Sequence, residues 1–198
     1  MDLHTPVCDL LCCDTPIVLA GMGDVARSEL VAPEVSSAPC FAHAASAAYM
    51  GFADRDEMVA ELNILLEAER AGARVAARLV ADAGEEDLRD LARTIHADEV
   101  RWCRELFAAL VGLKTEPSLK VGGFYENAMA IKDVKARLAF VNRGQDWVVR
   151  KLRGLLPRVR DDALHATLRQ MLEAHQENIA LAEETLMREE GAEPAPST

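Results

Sequence analysis

Residues 54–82 read DRDEMVAELNILLEAERAGARVAARLVAD, and the spacing within them decides the fold. Asp54 followed three residues later by Glu57 is a helix-start signal, and Gly84 just past the stretch is a stop signal. Between them Met58, Leu62, Leu65, Gly72, Ala76 and Leu79 recur at steps of four, three, seven, four and three. That is the period of an amphipathic helix with one position of its apolar stripe left out. The position left out is Glu69.

Three more segments repeat this pattern downstream. The second opens on Glu85, Glu86 and Asp87, acids suited to the positive end of a helix dipole, and closes at Gly112. Its stripe of Leu88, Leu91, Ile95, Trp102, Leu106 and Leu110 is interrupted by Glu99. The third, about Asp133 to Leu156 ahead of Pro157, presents Val134, Leu138, Val141, Val148, Leu152 and Leu155, with Gln145 in the gap. The fourth, about Asp161 to Glu189, carries Leu164, Leu168, Met171, Ile179, Ala182 and Leu186, broken by His175, and ends at Gly191. Residues 113–132, with Pro117, Gly122, Gly123 and a short helix over Phe124–Ile131, form the longest connection, which suits a link that crosses the bundle. Four helices of similar length, roughly 35–43 Å at 1.5 Å per residue, are expected to pack as one all-α, antiparallel four-helix bundle over residues 54–190.

Each of the four interrupting residues lies within a turn of the middle of its own helix. In an antiparallel bundle of equal helices the midpoints are level. Glu69, Glu99, Gln145 and His175 should therefore converge on one point of the bundle axis. An unpaired buried carboxylate costs several kcal/mol, a large part of the roughly 5–15 kcal/mol that stabilises a whole domain, so the group needs compensation. A divalent cation on Glu69, Glu99 and His175 would supply it, since carboxylate and neutral imidazole suit Fe, Mn or Zn, with Gln145 as a weak oxygen ligand or the holder of a water. Gly72 and Ala76 would leave room at the axis. A metal-free network would also serve, in a helical scaffold or dimerisation module: a Glu69–His175 ion pair, Gln145 donating to Glu99, and a proton shared by the carboxyls.

Glu69, then Glu99-Val-Arg-Trp102, then Gln145, then Leu172-Glu-Ala-His175 resembles the ferritin-like superfamily. Its di-iron members supply Glu, Glu-x-x-His, Glu and Glu-x-x-His from four helices. The stretches LLEAERAGA (residues 65–73), DEVRWC (98–103) and NRGQDWVVRK (142–151) look like an uncharacterised bacterial branch of it. Trp102, Gln145 and Leu172 stand where that pattern has ligands, so the resemblance implies a mononuclear or vestigial site for one Fe or Mn ion. It also implies iron or manganese redox chemistry or protection against oxidants, and a homodimer. Glu67, Asp98 and Asp146 should face water or neighbouring helices, and His96 lies on a face next to that of Glu99.

Composition narrows the alternatives. A net charge of -11 disfavours nucleic acid and anionic membranes as partners, because those surfaces select Lys/Arg excess. No run approaches the roughly 20 apolar residues of a membrane span, so a cytoplasmic location is expected. Cys8, Cys12, Cys13, Cys40 and Cys103 make a poor disulfide framework and are read as reduced thiols. Cys103 belongs to the core of the second helix.

Residues 1–53 lack a sustained period and are expected to be a loosely docked extension, as residues 191–198 are a tail. Asp14 to Val31, DTPIVLAGMGDVARSELV, resembles the opening strand and loop of nitronate monooxygenase, a flavin-binding TIM barrel. A barrel needs eight strands to close, so no flavin is expected. Gly21-Met-Gly23 mimics a dinucleotide fingerprint, but Pro33 cuts short the helix that the fingerprint needs.

Overall fold

The computed structural model describes residues 51–190. The cysteines at 8, 12, 13 and 40, the flavoenzyme-like stretch, the glycine turn and the tail after Glu190 lie outside the described residues.

Among the described residues there are five α-helices: α1 (Arg55–Asp82), α2 (Glu86–Gly112), α3 (Phe124–Ala130), α4 (Val134–Leu155) and α5 (Asp162–Glu190). Three begin on an aspartate that caps an otherwise orphaned backbone amide. Asp54 accepts from the Glu57 amide at 2.8 Å, Asp133 from Ala136 at 2.7 Å and Asp161 from Leu164 at 2.7 Å. Each such cap is worth about 1 kcal/mol. Pro157 ends α4 in a single 3-10 turn, Leu156–Arg158. The Arg158 carbonyl then accepts from the Ala53 amide at 2.9 Å, and the Arg158 guanidinium grips Glu57, which ties the end of α4 to the start of α1.

The direction of each helix follows from the apolar side chains, which gather in two clusters. One joins Met58, Leu62, Leu65 and Leu66 of early α1 to Trp102, Leu106 and Leu110 of late α2, Val148, Leu152 and Leu155 of late α4, and Leu168 and Met171 of early α5. The other joins late α1 (Val75, Ala76, Leu79) to early α2 (Leu88, Leu91, Ile95), early α4 (Leu138, Val141) and Ala182 of α5. Helices α1 and α5 therefore run one way and α2 and α4 the other. Since α1 packs on α2 and α4, and α5 on the same two, every neighbouring pair is antiparallel. Residues 113–133 must then travel the length of the bundle, as the sequence led us to expect of a crossing link.

That link lies on α1. Ser118 donates its amide to Asn63 at 2.7 Å and its hydroxyl to Glu67, while its carbonyl accepts from Arg70. Farther along, Phe124 of α3 stacks on Phe140 of α4 with ring centroids 4.8 Å apart. A Cβ at Gly144 would come within 2.7 Å of the Phe124 ring, so only glycine admits this packing.

The inward faces differ from the sequence reading in places. On α5 the buried line runs Leu168, Met171, His175, Asn178, Ala182, Thr185, whereas Ile179 and Leu186 are only half-buried. Steps of three, four, three, four and three are the heptad-like repeat of a helix that winds about its partners. A choice of the apolar residue at each turn drifts off that line. Val134 of α4 is likewise only half-buried, and Arg137 and Asn142 are buried instead.

Candidate metal centre

Glu69, Glu99, Gln145 and His175 fall in the gap between the two apolar clusters, one from each long helix. None is more than 5% exposed, so bulk water is not their partner. One carboxylate oxygen each from Glu69 and Glu99 and a ring nitrogen of His175 lie within 4.8 Å of one another.

The His175 ring fixes the chemistry of the group. Its Nδ1 lies 2.9 Å from the Met171 carbonyl one turn earlier, which makes Nδ1 the protonated nitrogen of the neutral ring. Nε2 then offers a lone pair, and it stands 3.4 Å from Glu69 Oε1. With Glu99 ionised, neither that nitrogen nor either oxygen of Glu69 meets a hydrogen-bond donor; a protonated Glu99 carboxyl would donate to Glu69. Two acceptors facing each other in a dry interior need a proton or a cation between them.

Burial raises the affinity of both carboxyls for protons. Desolvation pushes Glu69 up to about 8, against the pull of the adjoining Glu99 carboxyl, and Asp98 adds to the rise. Glu99 is also well above the ordinary carboxylate range, first from burial and then from the neighbouring Glu69. Glu99 reaches the axis over Gly72: a Cβ there would lie 2.5 Å from Glu99 Oε2. The space expected beside Gly72 is thus occupied by the Glu99 carboxylate itself.

Two carboxylates and one imidazole nitrogen form a hard-to-borderline donor set suited to Fe, Mn or Zn. Ligand bonds of roughly 2.0–2.2 Å place any two donors about 4.4 Å apart at most, so the three side chains draw in to bind one ion. The residues present fit one such ion.

Gln145 is buried, and neither atom of its amide has a partner. It lines, with Glu69 and Glu99, a cavity of about 520 Å³ between α1, α4 and the crossing link. The cavity was not foreseen. Its signals were the small residues Ala68, Ala71 and Gly72 on one wall and Gly122, Gly123 and Gly144 on another.

Neighbouring groups hold the frame. Asn178 of α5 donates to Asp98 of α2 at 2.9 Å, and Asn142 of α4 to the Ile179 carbonyl at 3.4 Å. Glu67 is engaged by Ser118 and Asp146 by Arg150, while His96 is half-buried and outside the cluster. Burial pushes the Cys103 thiol up to about 12, which leaves it without nucleophilic thiolate at neutral pH.

Residues 56–184, well over half of the chain, match a family described as a domain of unknown function, DUF6306. The chain belongs to this family. The matched span contains all four residues at the axis and leaves residues 1–50 outside it. No curated protein matches the chain, and no solved structure does.

Proposed function

We propose that this member of the DUF6306 family is a ferritin-like protein that holds one iron or manganese ion on Glu69, Glu99 and His175. The observation that carries the reading is the facing pair of lone pairs, Glu69 Oε1 and His175 Nε2, buried in the bundle with no donor between them. Bound there, the ion would supply one-electron redox chemistry at a centre with coordination positions left over for a small oxidant. The protein's part is to hold His175 by its Nδ1 proton, to press Glu99 into the space above Gly72, and to flank the group with an apolar cluster above and below. Gln145 is the added oxygen donor or the partner of a bound water. Within this reading the protein is a cytosolic homodimer acting in iron or manganese redox or in defence against oxidants. Among the described residues, no helix is long and apolar enough to cross a membrane.

The raised carboxyls favour one competing reading, in which protons alone quiet the group and the polar centre serves to fix helix register. Metal content separates the two. Protein from iron- and manganese-supplemented cultures should carry close to one ion per chain by mass spectrometry, and the Glu69→Ala, His175→Ala double variant should carry none. Background metal in both proteins, together with a changed melting temperature, would establish the register role and end the metal reading.

A further inference from the structure

The cavity beside the carboxylates has the size, walls and single anchor of a small-molecule site. Its 520 Å³ falls in the roughly 300–1,000 Å³ range of such sites. Ala68, Phe140, Val141 and Val148 give it apolar walls, and Ile64 and Trp147, each 38% exposed, stand at its rim. Gln145 lines it, 3% exposed, with its amide oxygen and nitrogen both buried and unpartnered, so that the amide meets a ligand by a turn of its side chain into the cavity. A primary amide in that state asks for a group that both donates and accepts.

We propose that this cavity binds an uncharged, largely apolar molecule with one terminal hydroxyl or primary amide, whose head pairs with Gln145 and whose body lies between α1 and α4 under the crossing link. A carboxylate head brings acceptors alone and leaves the Gln145 carbonyl unpaired, and Glu67 lines the same cavity; among the described residues the only cation lining it is Arg143. An ammonium head brings donors alone and leaves the Gln145 N–H groups unpaired. The inference rests on the proposed metal reading in one respect, that the molecule would be the substrate of that centre. Its binding stands on the cavity alone and is measured on metal-free protein, so the two can fail separately.

The probes are octan-1-ol, its isomer heptyl methyl ether, which accepts but cannot donate, octanoate and octan-1-amine. Trp147 is the reporter, and the Trp147→Phe variant identifies its signal. Octan-1-ol should bind at least tenfold more tightly than octanoate or octan-1-amine. Gln145→Leu, which removes two unpaired polar atoms at nearly constant volume and should fold at least as well as the parent, should weaken octan-1-ol about five- to tenfold and the ether, which loses one bond rather than two, by less. Ala68→Trp, filling the cavity, should abolish both. No Trp147 response to octan-1-ol, equal loss of alcohol and ether in Gln145→Leu, or tighter binding of the amine or the carboxylate would overturn the proposal.

Discussion

His175 Nε2 and Glu69 Oε1 stand 3.4 Å apart, each an acceptor and each without a donor. With the ring neutral and its proton given to Met171, the contact has the distance of an ion pair but not its chemistry; a second ring proton, on Nε2, would make it one. Whatever relieves it must arrive as a positive charge, and the site's response to pH and to metal follows from that.

In metal-free protein the response to pH is a loss of stability. Glu69 is raised from 4.5 to about 8 in the fold, so the folded protein binds more protons than the unfolded chain between those values. Stability is fully present below about pH 4.5, falls as pH rises by up to about 1.4 kcal/mol per unit, and levels off above the folded value. Glu99, shifted in the same direction, adds to the slope. Urea denaturation from pH 5 to pH 8.5 checks this, and Glu69→Gln should flatten much of the profile.

Metal must displace those protons. Affinity for Fe(II) or Mn(II) should rise with pH up to about 8, roughly tenfold per unit for each proton released. Calorimetric titrations at pH 7 in buffers of different ionisation enthalpy would count the protons. A pH-independent affinity is inconsistent with the raised carboxyls as ligands.

Gly72→Ala tests the seat of Glu99. The new methyl would occupy space 2.5 Å from Glu99 Oε2, so the carboxylate has to leave the axis or α1 has to move. We expect a loss of about 1–3 kcal/mol in stability and at least a tenfold loss in metal affinity. Ala76→Gly, one turn farther, serves as a control for helix propensity and should leave metal affinity intact.

The buried cation away from the axis is structural. Arg137 is 5% exposed, donates to Asp82 at 2.6 Å and to the Ile131 carbonyl at 3.0 Å, and so clamps the end of the link to α1. Arg137→Ala should cost about 1–3 kcal/mol, from the lost hydrogen bonds of a buried guanidinium whose partner Asp82 is itself 30% exposed. Thermal denaturation of the variant checks this.

The period of the stripes and the punctuation by Asp54, Gly84, Asp133 and Pro157 carried the helix reading, because the forces involved are local. The convergence of Glu69, Glu99 and His175 was legible for a related reason: a charged residue interrupting an apolar stripe has to be somewhere, and helices of equal length set the level. Asn178, Thr185, Asn142 and Arg137 escaped notice because hydropathy assigns polar residues to water, and only the packing of three neighbours shows which turn faces inward. The cavity escaped for a deeper reason. It is bounded by the link and two helices at once, and no periodicity within one segment encodes the distance between segments.

The course of the link from one end of the bundle to the other divides the proposed ligands unequally. Glu69 and Glu99 belong to the hairpin before it, His175 to the hairpin after it, and neither hairpin alone holds three donors. A protease cut near Leu119, which is 83% exposed, would leave two halves that assemble the nitrogen and oxygen donors only by finding each other again. Bound metal would then act as the fastener between halves, and the nicked protein would fall apart on chelation while the intact chain stays whole.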